Sequence, residues 1–499
     1  MDRFGDFDPF PIYPEYDGRW HPSFLSGVCR YWRAVTLSSP VIWSTIYLSD
    51  TDACGNLTFA QLCLRRSYGS PLRVYIDYLD GIPEDVMNWI SEDLVAHSVR
   101  FHGFHLKERN TSSNTALYGV LSECPAPELR SLTLRPDAQH AHPRLQGPLL
   151  FAGFLPCIKH IATSYLKLWP AYRLTTLTHV CMREAALSAP EILDLLSCNS
   201  QLEVLILQAD EPTSHNSEDD PSMQAITVSL PDLRKLHLLK YTTSICMRVL
   251  NAIRPSPFLS VEIDYVRSTP SHPLLSSISR LLFVSNVTTV ALCCWSSPAR
   301  LGIRGAGLAD INISPGADVH EAGSNQYMAG LLSLLSACPI KEIWIERDMV
   351  VTRVPLWQRI FLATPFVSKL AIVPGWYARE LSGATFLSAL CAIDETLGSV
   401  LPCPLLTEII LRGAFNEEDV PGTEPSVWLT RELRQCLTAR RSRGFPLRKI
   451  TLVRSMDDPI PGETELAEMR KLVKTIELVD EKEAPDCPPP FISTFDYGD

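Results

Sequence analysis

The sequence lacks a long uninterrupted apolar run. Its nearest approach, Leu281 to Ala299, is long enough to cross a bilayer but carries Ser285, Asn286, Thr288, Thr289, Ser296, Ser297 and Pro298, which excludes a transmembrane helix. Basic residues are in deficit, 45 Lys and Arg against 56 Asp and Glu, and the net charge of −11 has the wrong sign for binding a phosphate backbone. Cysteine is sparse, 15 in 499 residues, odd in number and without a C-x-x-C pair, which excludes a disulfide scaffold. Cys181, Cys198, Cys246 and Cys338 lie in apolar runs, where a free thiol behaves as a small hydrophobe, so a reducing compartment is expected. Met1 to Phe10 carries Asp2, Asp6 and Asp8 instead of a basic-then-apolar export signal. The expected location is cytoplasmic, nuclear or both, with the sequons at Asn56, Asn110, Asn286 and Asn312 unused.

Catalytic signatures are missing as well. There is no G-x-S-x-G elbow, P-loop, G-x-G-x-x-G or H-E-x-x-H, and Gly302-x-x-Gly305-x-Gly307 has the wrong order for dinucleotide binding. His102-x-x-His105 and His140-x-His142 have no cysteine at metal-site spacing and read as surface histidines, and Glu218, Asp219 and Asp220 read as a solvated charge run. The expectation is a protein that is not an enzyme, without metal or cofactor, and without nucleic acid or membrane as partner.

What is present is apolar content of 46% with 39 prolines, in a chain longer than one compact core usually carries. From Pro22 the residues Leu25, Val28, Cys29, Trp32 and Val35 fall at helical spacing and predict one continuous apolar stripe, stopped by Ser38-Ser39-Pro40. Beyond it, apolar residues recur at offsets 0, +3 and +5. The fourteen triplets begin at Trp43, Phe101, Leu129, Leu177, Leu202, Leu233, Phe258, Val287, Leu308, Ile340, Val367, Leu406, Leu447 and Val473. Most lie roughly 21 to 32 residues apart, with longer gaps after Trp43, Leu129, Val367 and Leu406, which is the scale of one strand-plus-helix unit. Ser188-Ala-Pro-Glu191 predicts a capping box, followed by an apolar helix, a turn at Asn199-Ser200 and a strand from Leu202. Ala329 to Cys338 predicts a second such helix before Ile340. Such units bury their faces only by stacking, which predicts a solenoid instead of several compact domains. Gln208 to Ser222, Gly413 to Ser426 and the Gly-rich Leu301 to Gly323 read as loops, the last interrupted by one short strand.

Val28-Cys29-x-x-Trp32-Arg33, Ser-Ser-Pro40 and Trp43-Ser-x-Ile46-x-Leu48 resemble the second half of the F-box-like domain of fungal proteins of the basidiomycete type. Leu433 to Leu437, Arg440-Arg441-Ser-Arg-Gly444-x-Pro446-Leu447 and Leu472 to Val479 resemble the end of the same proteins. The usual first element, a leucine-proline followed by an acidic residue and an apolar helix, has no counterpart in Met1 to Arg19, and the Asn or Cys of plant and animal repeats is absent at offset +8. The resemblance implies an α/β protein: a short helical F-box-like segment, then an irregular leucine-rich-repeat-like solenoid with a parallel sheet on its concave face. The expected divisions are a disordered or truncated segment 1–20, a partial F-box-like motif 21–50, a connecting region 51–96, the solenoid 97–480 and a flexible acidic, proline-rich tail 481–499.

It further implies a substrate adaptor of a Skp1-cullin ubiquitin ligase, with Leu25, Val28, Cys29, Trp32 and Arg33 docking a Skp1-like linker protein and the repeats holding an unknown protein substrate. The runner-up expectation is a stand-alone repeat scaffold without ligase docking. On strands whose +3 and +5 residues point inward, +4 faces the other side. That row is His105, Thr133, Ile206, His237, Glu262, Asn312, Trp344, Ile410 and Thr451, from which His105, Ile206, His237, Trp344 and Ile410 form the candidate substrate face.

Overall fold

A computed structural model describes residues 22–50, 56–78, 81–108, 114–135, 150–153, 155–166, 168, 174–185, 187–209, 227–256, 259–266, 287–294, 299–305, 310–315, 321–346, 354–373, 384–391, 401–412, 425–454 and 463–480. The expected tails lie outside the described residues, as do positions 210–222 of the expected loop Gln208 to Ser222, positions 413–424 of the expected loop Gly413 to Ser426, and His140 and His142. The protein is mixed α/β, with twelve α-helices and parallel sheets among the described residues and no closed barrel. It divides into two compact units. Residues up to Lys240 with Ala252–Arg254 form the first, and Tyr241–Asn251 with residues from Pro255 onward form the second.

The first unit opens with two helices, α1 (Pro22–Val28) and α2 (Arg30–Ser38). Its strands are β1 (Thr45–Ser49), β2 (Leu72–Tyr78), β3 (Phe101–Glu108), β4 (Ser131–Arg135), β5 (His160–Ser164), β6 (His179–Arg183), β7 (Val204–Gln208) and β9 (Lys235–Leu239). Each pairs in parallel with the one before it. Parallel neighbours need a crossover, supplied by α3 (Leu57–Arg66), α4 (Glu84–Trp89), α5 (Asn114–Glu123) and α6 (Ala189–Cys198) between successive strands. The short β8 (Val228–Leu230) pairs with β10 (Ile253–Pro255).

The second unit holds α7 (Thr243–Ala252, its last residue excepted), β11 (Ser260–Val266), β12 (Val287–Cys294), β13 (Ala299–Gly305) and β14 (Asp310–Pro315). Then come α8 (Glu321–Ala337), β15 (Glu342–Glu346), α9 (Val354–Ala363), β16 (Lys369–Val373), α10 (Ala384–Cys391), β17 (Glu408–Arg412), α11 (Pro425–Ser442), β18 (Lys449–Arg454), α12 (Glu463–Arg470) and β19 (Thr475–Asp480). Strands β12 and β15 to β19 pair in parallel. Strand β13 is antiparallel to both β12 and β14, and β14 is parallel to β11. Gly302 and Gly305 therefore lie in a strand, where a loop was expected from the glycine content.

Register follows the triplets. At offset +3, Ile46, Val74, Phe104, Leu132, Ile161, Val180, Leu205 and Leu236 are mutual partners across the first sheet. Val290, Ile343, Leu370, Ile409, Ile450 and Ile476 repeat the pattern in the second. The +3 row is buried up to Ile450, so the cores are continuous ridges of branched side chains. Two strands escape the triplet rule. Pro71 occupies the zero offset before β2 and Thr163 the +5 position of β5, so two of the long gaps in the sequence rhythm each contain a strand. The region 51–96, read from sequence as a connector, thereby contributes α3, β2 and α4.

Helix ends follow local chemistry. The Ser188 N–H donates to Glu191 Oε2 at 2.9 Å, completing the capping box of α6. Helix α11 ends in a Schellman motif: Phe445 N–H reaches Arg440 O at 2.9 Å, Gly444 N–H reaches Arg441 O at 3.0 Å, and Gly444 takes φ +85°. Asn199 closes α6 from a fully buried position, accepting from Leu177 N–H at 3.0 Å and donating to Leu195 O at 2.9 Å.

Candidate interaction surface

The predicted single helix at the N-terminus is two. Gly27 and the β-branched Val28 weaken helix propensity, and Cys29 is fully extended at φ −161°, ψ 174°. The Cys29 sulfur then caps α2 by accepting from Trp32 N–H at 3.5 Å, and Arg33 Nε donates to Ser26 O at 3.0 Å, satisfying a carbonyl at the end of α1. The expected stripe consequently does not lie on one helix face. Val28 is 67% exposed and Trp32 44%, Cys29 and Arg33 are exposed too, and Leu25 is half-buried. Phe24 and Tyr31 are also exposed, and the Tyr31 and Trp32 rings meet edge-on at 6.4 Å. Single exposed hydrophobes are ordinary, but several on two short adjoining helices form a patch of the kind that partners cover.

This patch is held on a firm base. Trp43 is buried in the short 3-10 turn Pro40–Trp43, its Nε1–H donates to Thr36 O at 2.7 Å, and the Arg66 guanidinium lies 4.4 Å over its ring. The Trp43 indole thus ties α2 to α3, and the exposed residues are presented from an ordered support.

The +4 row differs from expectation. His105, Ile206, Trp344 and Ile410 are at most 4% exposed, and Thr133 and Thr451 are buried with them. His237 is half-buried, and the side chains of Glu262 and Asn312 lie outside the described residues. The physical reason is the narrow strand spacing, which stacks +4 side chains on one another before any partner arrives. Tyr75 stacks on His105 at 4.6 Å, His105 Nδ1 lies 2.9 Å from Thr133 Oγ1, and Ala162, Cys181 and Ile206 pack as one cluster. The Trp344 indole donates to Glu342 Oε1 at 2.9 Å under Lys369, whose Nζ is 5.3 Å from the ring. None of the four is an accessible anchor in this conformation.

What this face presents lies to either side of that row. In the first unit, the +2 and +6 positions carry Arg73, Lys107, Arg135, Arg183 and Lys235 against Asp77, a basic surface on an acidic chain, with His160 and His179 as polar members of the same rows. In the second, Glu342, Lys369, Glu408 and Lys449 alternate in register. Lys369 pairs with Glu342 at 2.5 Å, and Lys449 with Glu408 at 3.4 Å and Glu477 at 2.8 Å. Strand register converts the 0/+3/+5 rhythm into an ordered ion-pair ladder on the opposite face.

Chemistry is confined by burial. His105 and Thr133 are the nearest approach to a base–nucleophile pair, but burial, aided by the Arg73, Arg135 and His160 charges, pushes the His105 pKa down to about 3. A neutral, enclosed imidazole is a weak base out of reach of substrate. Burial also lowers the His160 and His179 pKa values, and their rings meet at 4.7 Å. No group of three or more His, Cys, Asp or Glu that could hold a metal is found among the described residues, and no described helix is long and apolar enough to cross a membrane.

One cluster had no expected role. Arg440 sits in the Arg440-Arg441-Ser-Arg-Gly444 run yet is wholly buried, its Nη1 donating to Leu390 O and Pro402 O at 3.3 and 3.1 Å and its Nη2 to Cys403 O at 2.9 Å. Two further cysteines, Cys391 and Cys436, lie beside it. The helical spacing of Leu433, Cys436, Leu437 and Arg440 was the available signal, because it puts the arginine on the buried face of α11.

Compared with models of known protein families and with curated proteins, the chain matches none.

Proposed function

We propose that the protein is an F-box-like substrate adaptor: the two N-terminal helices dock a Skp1-like linker protein of a cullin-type ubiquitin ligase, and the sheet region binds a protein substrate. In this reading the strand-and-helix units form an irregular leucine-rich-repeat-like solenoid, and the chain itself catalyses no reaction. The observation that carries the reading is the exposure of Phe24, Val28, Tyr31 and Trp32 on a segment anchored through Trp43, in the stretch whose residues resemble an F-box. In-register addition of successive parallel strands supports the repeat assignment. The substrate contacts are assigned to the +2 and +6 rows, since the +4 row is closed.

The test is capture of Skp1 by the full-length chain. The expected result is binding that Trp32→Ala or Val28→Asp weakens by about thirtyfold, the scale of a central aromatic anchor. Both side chains are exposed, so the variants retain the fold. Absence of capture, or capture undiminished by either variant, refutes ligase docking through this patch and leaves the stand-alone scaffold.

A further inference from the structure

The sheet face of the first unit is unevenly charged. Its +2 and +6 rows carry five fixed cations, Arg73, Lys107, Arg135, Arg183 and Lys235, and Asp77 is the one carboxylate of those rows in strands β1 to β7 and β9. Arg73 is exposed and the other four cations are half-buried. Lys107 and Arg135 are direct register partners, about 4.8 Å apart along the backbone, an arrangement of like charges that an anion between them relieves. The ladder of the second unit is built the other way, with Lys369 and Lys449 each against a carboxylate of a neighbouring strand.

Between these rows lies the closed +4 row. Buried Tyr75, His105, Thr133 and Ile206 make a floor, and the charged rows border it as rims about 13 Å apart, four residues of strand rise. Arg73 lies along this floor beside Gly103, where a Cβ would stand 3.1 Å from His105 Nε2 and 3.7 Å from Arg73 Cγ. The cations converge over the floor, since after burial it is the Arg73, Arg135 and His160 charges that lower the His105 pKa. The +6 rim is the more strongly basic. Asp77 is in register with Lys107, and Arg135 and Arg183 carry the rim away from it, whereas Glu203 acts electrostatically on His160 and His179 at the +2 end.

We propose that this face binds an extended acidic segment of a protein partner, laid across the strands along the +4 row, with carboxylates at alternate positions engaging Lys107, Arg135 and Arg183. The proposal rests on the reading that the sheet region holds a protein partner, and not on ligase docking. The spacing fits: β3 to β6 is three strand separations, about 14 Å, and residues i to i+4 of an extended chain span about 13 Å, so that side chains i, i+2 and i+4 fall along one rim. Arginine suits the role because its planar fork takes a carboxylate through two parallel hydrogen bonds. A short acidic segment stays within the basic rows, whereas a nucleic-acid strand would run beyond them onto a chain of net charge −11.

The test is fluorescence anisotropy of a labelled peptide of alternating Ser and Glu titrated with the full-length protein. The expected result is saturable binding that added salt weakens, at least about tenfold tighter than binding of the matching Ser and Gln peptide. The double substitution Lys107→Gln with Arg135→Gln keeps most of each side chain's length, removes both charges, and weakens binding by about tenfold or more. The comparison of the two peptides on the wild-type protein reads the charge requirement without any variant. Equal binding of the two peptides, no binding of either, undiminished binding by the double variant, or tighter binding of oligothymidylate in the same buffer overturns the proposal. Skp1 capture is measured on the same preparations. Failure of peptide binding with capture intact overturns the acidic-segment proposal alone, and failure of capture with peptide binding intact overturns ligase docking alone.

Discussion

Replacing Asn199 by Ala removes two side-chain hydrogen bonds from a fully buried site. Leu177 is fully buried, so its N–H loses the only acceptor described for it, and Leu195 O loses a donor. A buried main-chain group left without a partner costs about 1–3 kcal/mol, so the pair costs about 2–6 kcal/mol. The loss falls on one place, the step between α6 and the start of β6. Hydrogen exchange followed by mass spectrometry reads it there without assuming that a chain of two units unfolds in one transition. At about 1.4 kcal/mol per decade, the lower bound accelerates exchange of the Leu177 amide by about thirtyfold. Peptides from β16 to β18 in the other unit keep their wild-type rates. Exchange within about twofold of wild type at Leu177 would refute the claim that this asparagine side chain holds the strand to the helix.

Three further outcomes are expected. Gly444→Ala meets no atom within 4 Å of the new Cβ but keeps φ near +85°, so the penalty is backbone alone, about 1 kcal/mol, read as a lowered midpoint in thermal denaturation. His105 has a folded pKa of about 3 against an unfolded value near 6.5, so its contribution is fully present above about pH 6.5 and is lost as pH falls toward 3. His105→Gln, which keeps a neutral polar group beside Thr133, flattens the acid limb of a stability–pH profile measured by urea denaturation; an unchanged slope would show that His105 protonates freely in the fold. Glu408→Gln removes one of two carboxylates from the half-exposed Lys449 and changes stability by less than about 1 kcal/mol, since surface ion pairs contribute little. A larger loss in the same denaturation assay would mean that the ladder acts cooperatively.

The rhythm of apolar residues was legible because each strand buries the same two offsets against its connecting segments, and parallel pairing preserves that alignment from one strand to the next. Where the rhythm broke, at Pro71 and Thr163, strands β2 and β5 went unseen, since a missing apolar residue hides a strand that its neighbours on both sides still hold in place. The capping box at Ser188 and Glu191 was legible because it is completed within one turn of chain. The helical stripe through Leu25, Val28 and Trp32 was misjudged at Cys29, where spacing says nothing of the extended φ and ψ that divide it.

By itself, the sequence determined which residues share a row: alternation along a strand is local geometry, so His105, Thr133 and Ile206 belong to one face whatever surrounds them. Only the tertiary structure decided what that face is. Neighbouring strands bring Tyr75 onto His105 and Lys369 over Trp344, closing a row that alternation alone leaves open to solvent. The same holds for Arg440, whose carbonyl partners stand 37 to 50 residues away in the chain. Burial and partnership are properties of the space between elements, and no local spacing encodes that space.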